Sequence, residues 1–315
     1  MESSPSGVQQ KEERNWLELP RDVTSTILSR LGAIEILTSA QNVCSSWRNI
    51  CKDPLMWRTI DMRNPGDTYG MDYDLETMCR HAIDLSCGQL VDINIEFFGI
   101  DELLKYLTDR SSMVRRLRLI CCYSISDNGL SEAAAKLPLL EDLEISYHSL
   151  SNEPLEAIGH CCPLLKSLKL NCRGFRHPHL AIDDEAVAIA KSMPELRHLQ
   201  LFGNKLTNEG LQAILDGCPH LESLDLRQCF NVTLAGNLGK RCAEQIKDLR
   251  RPYDSTEGYE FDAEIHDTYD DYDDDSYDED YPSGFSDIDF LTDDGEYYEF
   301  SGGSDLTDDY DFYFD

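Results

Sequence analysis

Hydrophobic residues in the middle of the chain recur in six short blocks of the form L-x-x-L-x-L, with Ile or Val replacing some leucines. Consecutive blocks begin 24 to 31 residues apart, and their first apolar residues are Leu90, Val114, Leu140, Leu165, Leu196 and Leu221. The apolar residues that close each block alternate with other side chains, which is the period of a β-strand that buries one face. The pattern therefore predicts one short strand per block.

A helix is predicted after each middle strand, because a residue that caps helix N-termini follows the block and a proline ends the next apolar run. The caps are Ser126, Ser151, Asp183 and Thr207, and the prolines are Pro138, Pro163, Pro194 and Pro219. Cap side chains accept hydrogen bonds from free backbone N–H groups, whereas proline cannot continue a helix. A strand–turn–helix–turn unit with a period near 25 is typical of leucine-rich repeats, whose apolar faces are buried only by stacking. Residues 63–251 are therefore predicted to form an α/β leucine-rich-repeat solenoid, with about six repeats and a degenerate terminal one that ends at Arg251.

Five of the twelve cysteines occupy fixed positions of this repeat. Cys87, Cys162 and Cys218 lie three residues before the first apolar residue of a block, and Cys122 and Cys229 lie three residues after the last. We interpret them as small buried residues, not as redox or metal-binding groups. No C-x-x-C pair accompanies them, so we expect no metal site and no cofactor.

Residues 15–62 show a different, helical spacing of apolar positions. One run begins at Leu19-Pro20 and continues through Val23, Ile27, Leu28 and Leu31. Two further runs follow, the second of which carries Val43 and Trp47. Three helices in fewer than fifty residues bury little surface, so periodicity alone allows either a helical cap on the solenoid or a docking module.

The particular residues of this region resemble the F-box motif over nearly its whole length. The matching positions are Leu19, Pro20, Val23, Ile27, Leu28, Leu31, Val43, Cys44, Trp47, Arg48, Pro54, Trp57 and Ile60. One departure is Ile36-Leu37, where many F-box proteins carry a charged residue and paired leucines. With the cysteine-containing repeats, the resemblance to plant F-box/LRR proteins of the Skp-interacting type extends from residue 15 to about residue 251.

The resemblance implies the substrate-recognition subunit of an SCF-type ubiquitin ligase. The F-box would bind a Skp-type adaptor and, through it, cullin and RING subunits, while the solenoid would bind a protein substrate. The adaptor-docking surface and the core beneath it would then comprise Leu19, Pro20, Ile27, Leu28, Leu31, Val43, Trp47 and Trp57. Replacing Leu19-Pro20 or Trp57 is expected to cost adaptor binding about 2 kcal/mol or more.

The substrate is expected on the sheet face where residues between the buried leucines point outward. The candidates on the strands are Arg118, Glu144, Lys169, Gln200 and Asp225, and their mixed charge predicts a polar protein partner. The fourth repeat has six extra residues, and insertions in repeat proteins map to loops near binding faces. We therefore add Phe175 and Arg176 from this loop to the predicted substrate surface.

The charge of the chain is concentrated at its C-terminal end. The net charge is −32, and 25 of the 60 acidic residues lie between Tyr253 and Asp315, where Lys and Arg are absent. Residues 252–315 are predicted to be a disordered acidic tail, after a leader (residues 1–14), the F-box (15–62) and the solenoid (63–251). Direct binding to nucleic acid is not expected, since no basic patch offsets the repulsion from phosphates. An alternative function is a non-ligase scaffold whose tail binds basic nuclear proteins such as histones.

The sequence also argues against an enzyme or a membrane protein. It contains no G-x-S-x-G, Walker, H-E-x-x-H or dinucleotide-binding motif, so we expect a non-catalytic protein. No apolar run approaches the ~20 residues that span a bilayer. The polar N-terminus lacks the core of a secretory signal, so we expect reduced cysteines and a location in the nucleus, the cytoplasm or both.

Overall fold

The computed structural model describes residues 19–64, 74–176 and 180–266. Within these ranges, eight parallel strands form one sheet whose spatial order follows the chain. They are β1 (Thr59–Met62), β2 (Asp92–Glu96), β3 (Arg116–Ile120), β4 (Asp142–Ser146), β5 (Ser167–Asn171), β7 (His198–Gln200), β8 (Ser223–Asp225) and β9 (Asp248–Arg250). A separate parallel pair is formed by β6 (Gly174–Phe175) and β10 (Ile265–His266). All six predicted strands are present, which confirms the leucine-rich-repeat fold.

The first four helices lie in the N-terminal module, and the helices after them alternate with the strands of the solenoid. They are α1 (Arg21–Leu28), α2 (Ala33–Glu35), α3 (Gln41–Val43), α4 (Ser45–Cys51), α5 (Leu75–Leu85), α6 (Asp101–Arg110), α7 (Asp127–Ala134), α8 (Glu153–Cys161), α9 (Asp184–Ser192), α10 (Asn208–Gly217) and α11 (Gly236–Gln245). A π-helical turn joins α2 to α3 and a 3₁₀ turn, Pro54–Trp57, follows α4. In the described ranges every helix is too short or too polar to cross a bilayer.

The repeat length places equivalent residues beside one another in the sheet. Leu117 pairs with Leu143, and Leu143 pairs with Leu168, so the buried leucines form continuous rows. The residues one position later, Arg118 and Glu144, are paired in the same way. We call the side of the sheet that carries this second row the open face, because the buried leucines occupy the other side.

The residues at the helix N-termini cap their own helices in some repeats and bond to the next repeat in others. Ser126 Oγ accepts a hydrogen bond from Gly129 N at 3.0 Å, and Thr207 Oγ1 accepts one from Glu209 N at 3.1 Å, as predicted. Asp183 occupies the N-cap position of α9 but makes no capping bond there. Its carboxylate instead accepts bonds from Thr207 N and Thr207 Oγ1, both at 2.7 Å, in the next repeat.

Ser151 also differs from the prediction, because the N-cap of α8 is Asn152. The Ser151 hydroxyl accepts a bond from Glu153 N in a turn that comes one residue before the helix. Its own backbone N–H donates to Asp127 in the preceding repeat at 2.9 Å. The shift arises because Pro154 occupies the first turn of α8, where a missing N–H costs nothing.

The repeat cysteines are buried, with one exception. The thiols of Cys122 and Cys229 donate to the carbonyls of Ile95 and Leu201, respectively, in the preceding repeat. Cys162 and Cys218 are buried in the same manner. Cys87 is exposed, contrary to the prediction, because it follows α5 in a turn where its own φ is 47° and that of Gly88 is 77°. The left-handed turn directs this side chain away from the core.

The N-terminal module (residues 15–62) shares the core and the sheet of the solenoid. Its last residues form β1, which pairs in parallel with β2. The sequence did not predict this strand, since residues 59–62 lack a complete repeat motif. The module therefore continues the sheet of the solenoid as its first strand.

Residues 252–266 do not form the disordered tail that the sequence predicted. Pro252 is buried, its carbonyl accepts a bond from Gln228 N at 2.9 Å, and the chain then crosses the open face to pair β10 with β6. Aromatic side chains in this stretch find aromatic partners on the solenoid, which composition alone does not reveal. The predicted leader (1–14) and the tail beyond residue 266 lie outside the described residues.

Candidate functional site

The N-terminal module exposes five large apolar side chains: Val23, Ile27, Leu31, Val43 and Leu55. Val23, Ile27 and Leu31 are spaced four residues apart and so lie on one side of α1 and its extension. Val43 is 60% exposed and Leu55 is 62% exposed. The core beneath them is already filled, so these side chains are available to a partner protein.

Two of the predicted docking residues lie inside the module. Leu28 is fully buried and Trp57 is 1% exposed, so neither can contact an adaptor directly. Trp57 Nε1 donates to the carbonyl oxygen of Cys51 at 2.7 Å, which satisfies the indole polar group inside the core. Leu28 and Trp57 belong to the motif because they form the core that holds Ile27 and Leu31 at the surface.

The remaining docking candidates are intermediate or exposed. Trp47 is partly buried and packs on the core cluster, Leu19 is half-buried and Pro20 is exposed. The Pro20 carbonyl accepts bonds from Thr24 N at 3.0 Å and from Thr24 Oγ1 at 3.2 Å, which starts α1. Leu19-Pro20 therefore fixes the start of α1, the helix that carries the exposed side chains Val23 and Ile27.

Val23 and Leu55 were not among the predicted docking residues, although the structure exposes both. The exposure of Val23 beside Ile27 was predictable from the sequence, because residues four apart lie on the same side of a helix. The exposure of Leu55 was not, since it follows Pro54 in a 3₁₀ turn where helical spacing does not apply. The turn lies beside α1, as shown by the bond from Ser25 Oγ to Met56 Sδ at 3.1 Å.

Three of the predicted substrate residues form one charge cluster on the open face. The carboxylate of Glu144 contacts Arg118 Nε and Lys169 Nζ, each at 3.0 Å. The Glu144 side chain is buried, so it positions the two cations that lie above it. Burial alone would lower the pKa of Arg118, but the carboxylates of Glu144 and Glu260 raise it.

Gln200 and Asp225 are held by neighbouring side chains. Gln200 Nε2 donates to Asn171 Oδ1 at 2.9 Å. Asp225 accepts bonds from Arg227 Nε at 3.0 Å and Arg227 Nη2 at 2.6 Å, and both residues are buried. Asp225 was predicted as a substrate contact, but its buried carboxylate instead orients Arg227.

The two candidates from the predicted loop, Phe175 and Arg176, differ in exposure. Phe175 was predicted to lie in a loop that contacts substrate, but it belongs to β6 and is buried, with its ring centroid 5.5 Å from Lys205 Nζ. The pairing of β6 with β10 explains this burial. Arg176, the next residue, is exposed.

Two depressions of about 300 Å³ each open on this face. The residues between the buried leucines line both, and each also includes one residue of the C-terminal stretch: Gly258 in the first and Glu260 in the second. The C-terminal stretch is therefore a wall of the candidate recognition surface. The aromatic residues Tyr253, Tyr259 and Phe261 were the signal available in the sequence, since an inert spacer has no need of them.

The buried cysteines are not suited to nucleophilic chemistry. Burial raises the pKa of the Cys122 and Cys162 thiols to about 12 and that of Cys218 to about 11. A thiol reacts as its thiolate, which these values disfavour near neutral pH. In the ranges that the structure describes, no three His, Cys, Asp or Glu side chains come together as metal ligands would.

Comparison with known proteins gives matches to both parts of the chain. The sequence model of the F-box-like family matches residues 16–63, and a leucine-rich-repeat model matches residues 193–215. The chain is 53% identical over 309 residues to F-box protein SKIP19 of Arabidopsis thaliana, covering 97% of this chain and 96% of that protein. It is 57% identical over 256 residues to Putative F-box/LRR-repeat protein 23 of the same species, covering 80% of this chain and 56% of that protein.

Similarity to solved structures is weaker. The crystal structure of the yeast Rad7–Elc1 complex contains a chain that matches 55% of this chain and 58% of its own length, with 17% identity and a TM-score of 0.37. A match at this level carries no functional argument.

Proposed function

The chain belongs to the family of F-box proteins with leucine-rich repeats, and on this premise we propose that it is the substrate-recognition subunit of an SCF-type ubiquitin ligase. Its F-box docks on a Skp-type adaptor, which links it to cullin and RING subunits. The open face of its solenoid binds a protein substrate for ubiquitination. The chain itself is a non-catalytic receptor in this assembly.

The row of exposed apolar side chains on the F-box supports this function most directly. Ile27, Leu31 and Val43 face solvent on a module whose own core is complete. Isolated apolar side chains are common on protein surfaces, but a row of them on one small module is typical of an interface. The motif of the family occurs at these same positions, which makes the adaptor the expected partner.

Retention by the Skp-type adaptor tests this function. The intact chain should be retained in a pull-down, and Leu19→Ala/Pro20→Ala should weaken the interaction by about 2 kcal/mol or more, roughly thirtyfold in affinity. Ile27→Glu/Leu31→Glu should have at least as large an effect, because both side chains point to solvent and a charge there opposes an apolar contact. Thermal unfolding of each variant checks that the fold is retained.

Leu164→Glu is the matched control, since Leu164 is an exposed leucine of the solenoid. It should leave adaptor retention unchanged. If the intact chain is not retained, or if the F-box variants are retained as well as wild type, the ligase function is refuted. A scaffold that binds basic nuclear proteins would then be the better interpretation.

We also propose that the protein works in the nucleus, the cytoplasm or both. All twelve cysteines are free thiols, and eleven of them are at least partly shielded. A reducing compartment maintains this state.

A further inference from the structure

Residues 253–266, which we call the C-terminal segment, lie across the open face as a peptide ligand would. The solenoid holds the main chain of this region through hydrogen bonds to carbonyl oxygens. These bonds run from Gln228 N to Pro252 O (2.9 Å), from Arg227 Nη1 to Ser255 O (3.2 Å), from Tyr147 Oη to Asp262 O (3.3 Å) and from Gln228 Nε2 to Ala263 O (2.7 Å). Every peptide has carbonyl groups, so these bonds position a chain without selecting its sequence.

Selection comes from three consecutive side chains, Tyr259, Glu260 and Phe261. The Tyr259 ring stacks on Phe202, with ring centroids 3.7 Å apart and planes within 5°. The Phe261 and Tyr147 rings pack nearly perpendicular to each other, with ring centroids 5.6 Å apart. Between these two aromatic contacts, the carboxylate of Glu260 faces basic side chains of the solenoid.

Two arginines share the Glu260 carboxylate. Arg118 Nη2 lies 2.9 Å from it and Arg63 Nη1 lies 3.9 Å from it. Each arginine also contacts an acidic residue of the solenoid itself, Glu144 for Arg118 and Asp61 for Arg63. A guanidinium has five N–H donors, so one nitrogen of each arginine can hold the acidic residue of the solenoid while another receives Glu260.

The C-terminal segment contributes contacts but no core. None of residues 253–265 is buried, and Glu260 is exposed. Phe202, in contrast, is 1% exposed beneath the Tyr259 ring. Removing the segment would uncover the Phe202 ring and the guanidinium nitrogens of Arg63 and Arg118 that contact Glu260. A different peptide of the same chemistry could then bind there.

We propose that this surface, lined by Arg63, Arg118, Tyr147, Phe202, Arg227 and Gln228, is a recognition site for a partner segment in which a glutamate is flanked by aromatic residues. We call it the shelf. The chain's own Tyr259-Glu260-Phe261 occupies the shelf, and a substrate with this chemistry displaces it. The inference rests on the proposed function only in naming the partner as a ligase substrate, since the shelf itself does not depend on the adaptor.

The same tripeptide recurs at Tyr298-Glu299-Phe300, in a part of the sequence that the structure does not describe. Any test must remove both copies, because each is covalently part of the chain that carries the shelf and so competes at a high effective concentration. The vacated variant is therefore the 315-residue chain with four changes: Tyr259→Ala, Glu260→Gln, Tyr298→Ala and Glu299→Gln.

The probe is a fluorescent synthetic peptide with the sequence STEGYEFDAEI, that of residues 255–265. Fluorescence anisotropy should show that the vacated variant binds it at least tenfold more tightly than wild type. Adding Arg118→Gln to the vacated variant should reduce that binding at least tenfold, and adding Arg63→Gln should reduce it as well. Arg63 directly follows β1 and its side chain is 57% exposed, so its change tests the shelf even if the Arg118 variant fails to fold.

Glu257→Gln/Glu296→Gln is the matched control, because it removes two negative charges outside the tripeptides. In the described part of the chain, the exposed Glu257 side chain forms no ion pair with Arg63, Arg118 or Arg227, so this variant should bind the probe as weakly as wild type. The proposal is overturned if the vacated variant binds no better than wild type, if a scrambled probe binds equally well, or if both arginine variants retain full binding. Peptide binding is measured without adaptor, so its failure is distinguishable from failure of the adaptor pull-down.

Discussion

The carboxylate of Glu260 lies 2.9 Å from Arg118 Nη2, although 142 positions separate the two residues in the chain. Arg118 belongs to the third strand of the eight-stranded sheet, whereas Glu260 follows the last one. The same guanidinium contacts Glu144 on the neighbouring strand at 3.0 Å. One arginine thus joins two repeats to the C-terminal segment, and it does so on the face where a substrate is expected.

Trp57→Ala should lower the free energy of unfolding by about 3–5 kcal/mol, because it removes a large side chain from a filled core. Trp57→Phe should cost less, about 1–2 kcal/mol, since it mainly leaves the Cys51 carbonyl without its donor. Urea unfolding followed by circular dichroism measures both. Val43→Ala, at an exposed position of the same module, should stay within about 0.5 kcal/mol of wild type. An unchanged urea midpoint for Trp57→Ala would contradict a core role for this residue.

Gly203→Ala should destabilise the fold more than Gly236→Ala. Both glycines have a left-handed backbone, with φ of 68° and 61°, so both substitutions carry the cost of about 1 kcal/mol for an L-residue there. At Gly203 the new Cβ would also lie 2.4 Å from the Cys172 carbonyl oxygen, whereas nothing lies within 4 Å at Gly236. Thermal unfolding of the two variants measures the difference. Equal melting temperatures would show that the Cys172 backbone yields without cost.

Asp183→Ala should lower the free energy of unfolding by about 2 kcal/mol, because its carboxylate accepts two bonds from Thr207 in the next repeat. Glu195→Ala changes an exposed acid in the loop after α9 and serves as the control. Urea unfolding of the two variants provides the comparison. If Asp183→Ala is as stable as the control, the carboxylate bridge between repeats does not stabilise the solenoid.

His148 should make the protein less stable in mild acid. Burial of the imidazole lowers its pKa despite the nearby carboxylates of Glu185 and Asp127. Leu150 N donates to Nδ1 at 3.2 Å, which favours the neutral ring. The unfolded state then binds the proton first, so stability is full above the unfolded pKa near 6.5 and falls below it by at most about 1.4 kcal/mol per pH unit.

Urea unfolding at pH 7.5 and pH 5.5 measures this effect. Wild type should lose more stability between these values than His148→Asn, whose amide oxygen can still accept from Leu150 N. His220→Asn, at an exposed histidine, should behave as wild type does. An identical pH response in wild type and His148→Asn would exclude the buried imidazole as its source.

The sequence predicted the solenoid well because the repeat is encoded locally. Alternating apolar residues such as Leu117 and Leu119 specify which side of a strand is buried without reference to the rest of the chain. The same period places Cys122 and Cys229 in equivalent buried turns. Cys87 also has the repeat spacing but is exposed, because the backbone conformation of its turn, and not its spacing, decides where the side chain points.

The F-box was recognisable from sequence, but the division between its core and its surface was not. Ile27 and Leu28 are adjacent in α1 and both belong to the motif, yet one is exposed and the other fully buried. That division depends on where Trp57 and the first strand of the sheet pack against α1 and its neighbours. A motif records which residues are needed and not what each one touches.

By itself, the sequence determined the repeat, the helices between the strands and the family motif at the N-terminus, since each depends on side chains close together in the chain. Only the tertiary structure decided that residues 252–266 belong to the fold and that Glu260 reaches Arg118. Local composition in that region is acidic and polar, which predicts disorder. The partners of its aromatic and acidic side chains come from strands far earlier in the chain, so no local pattern could reveal them.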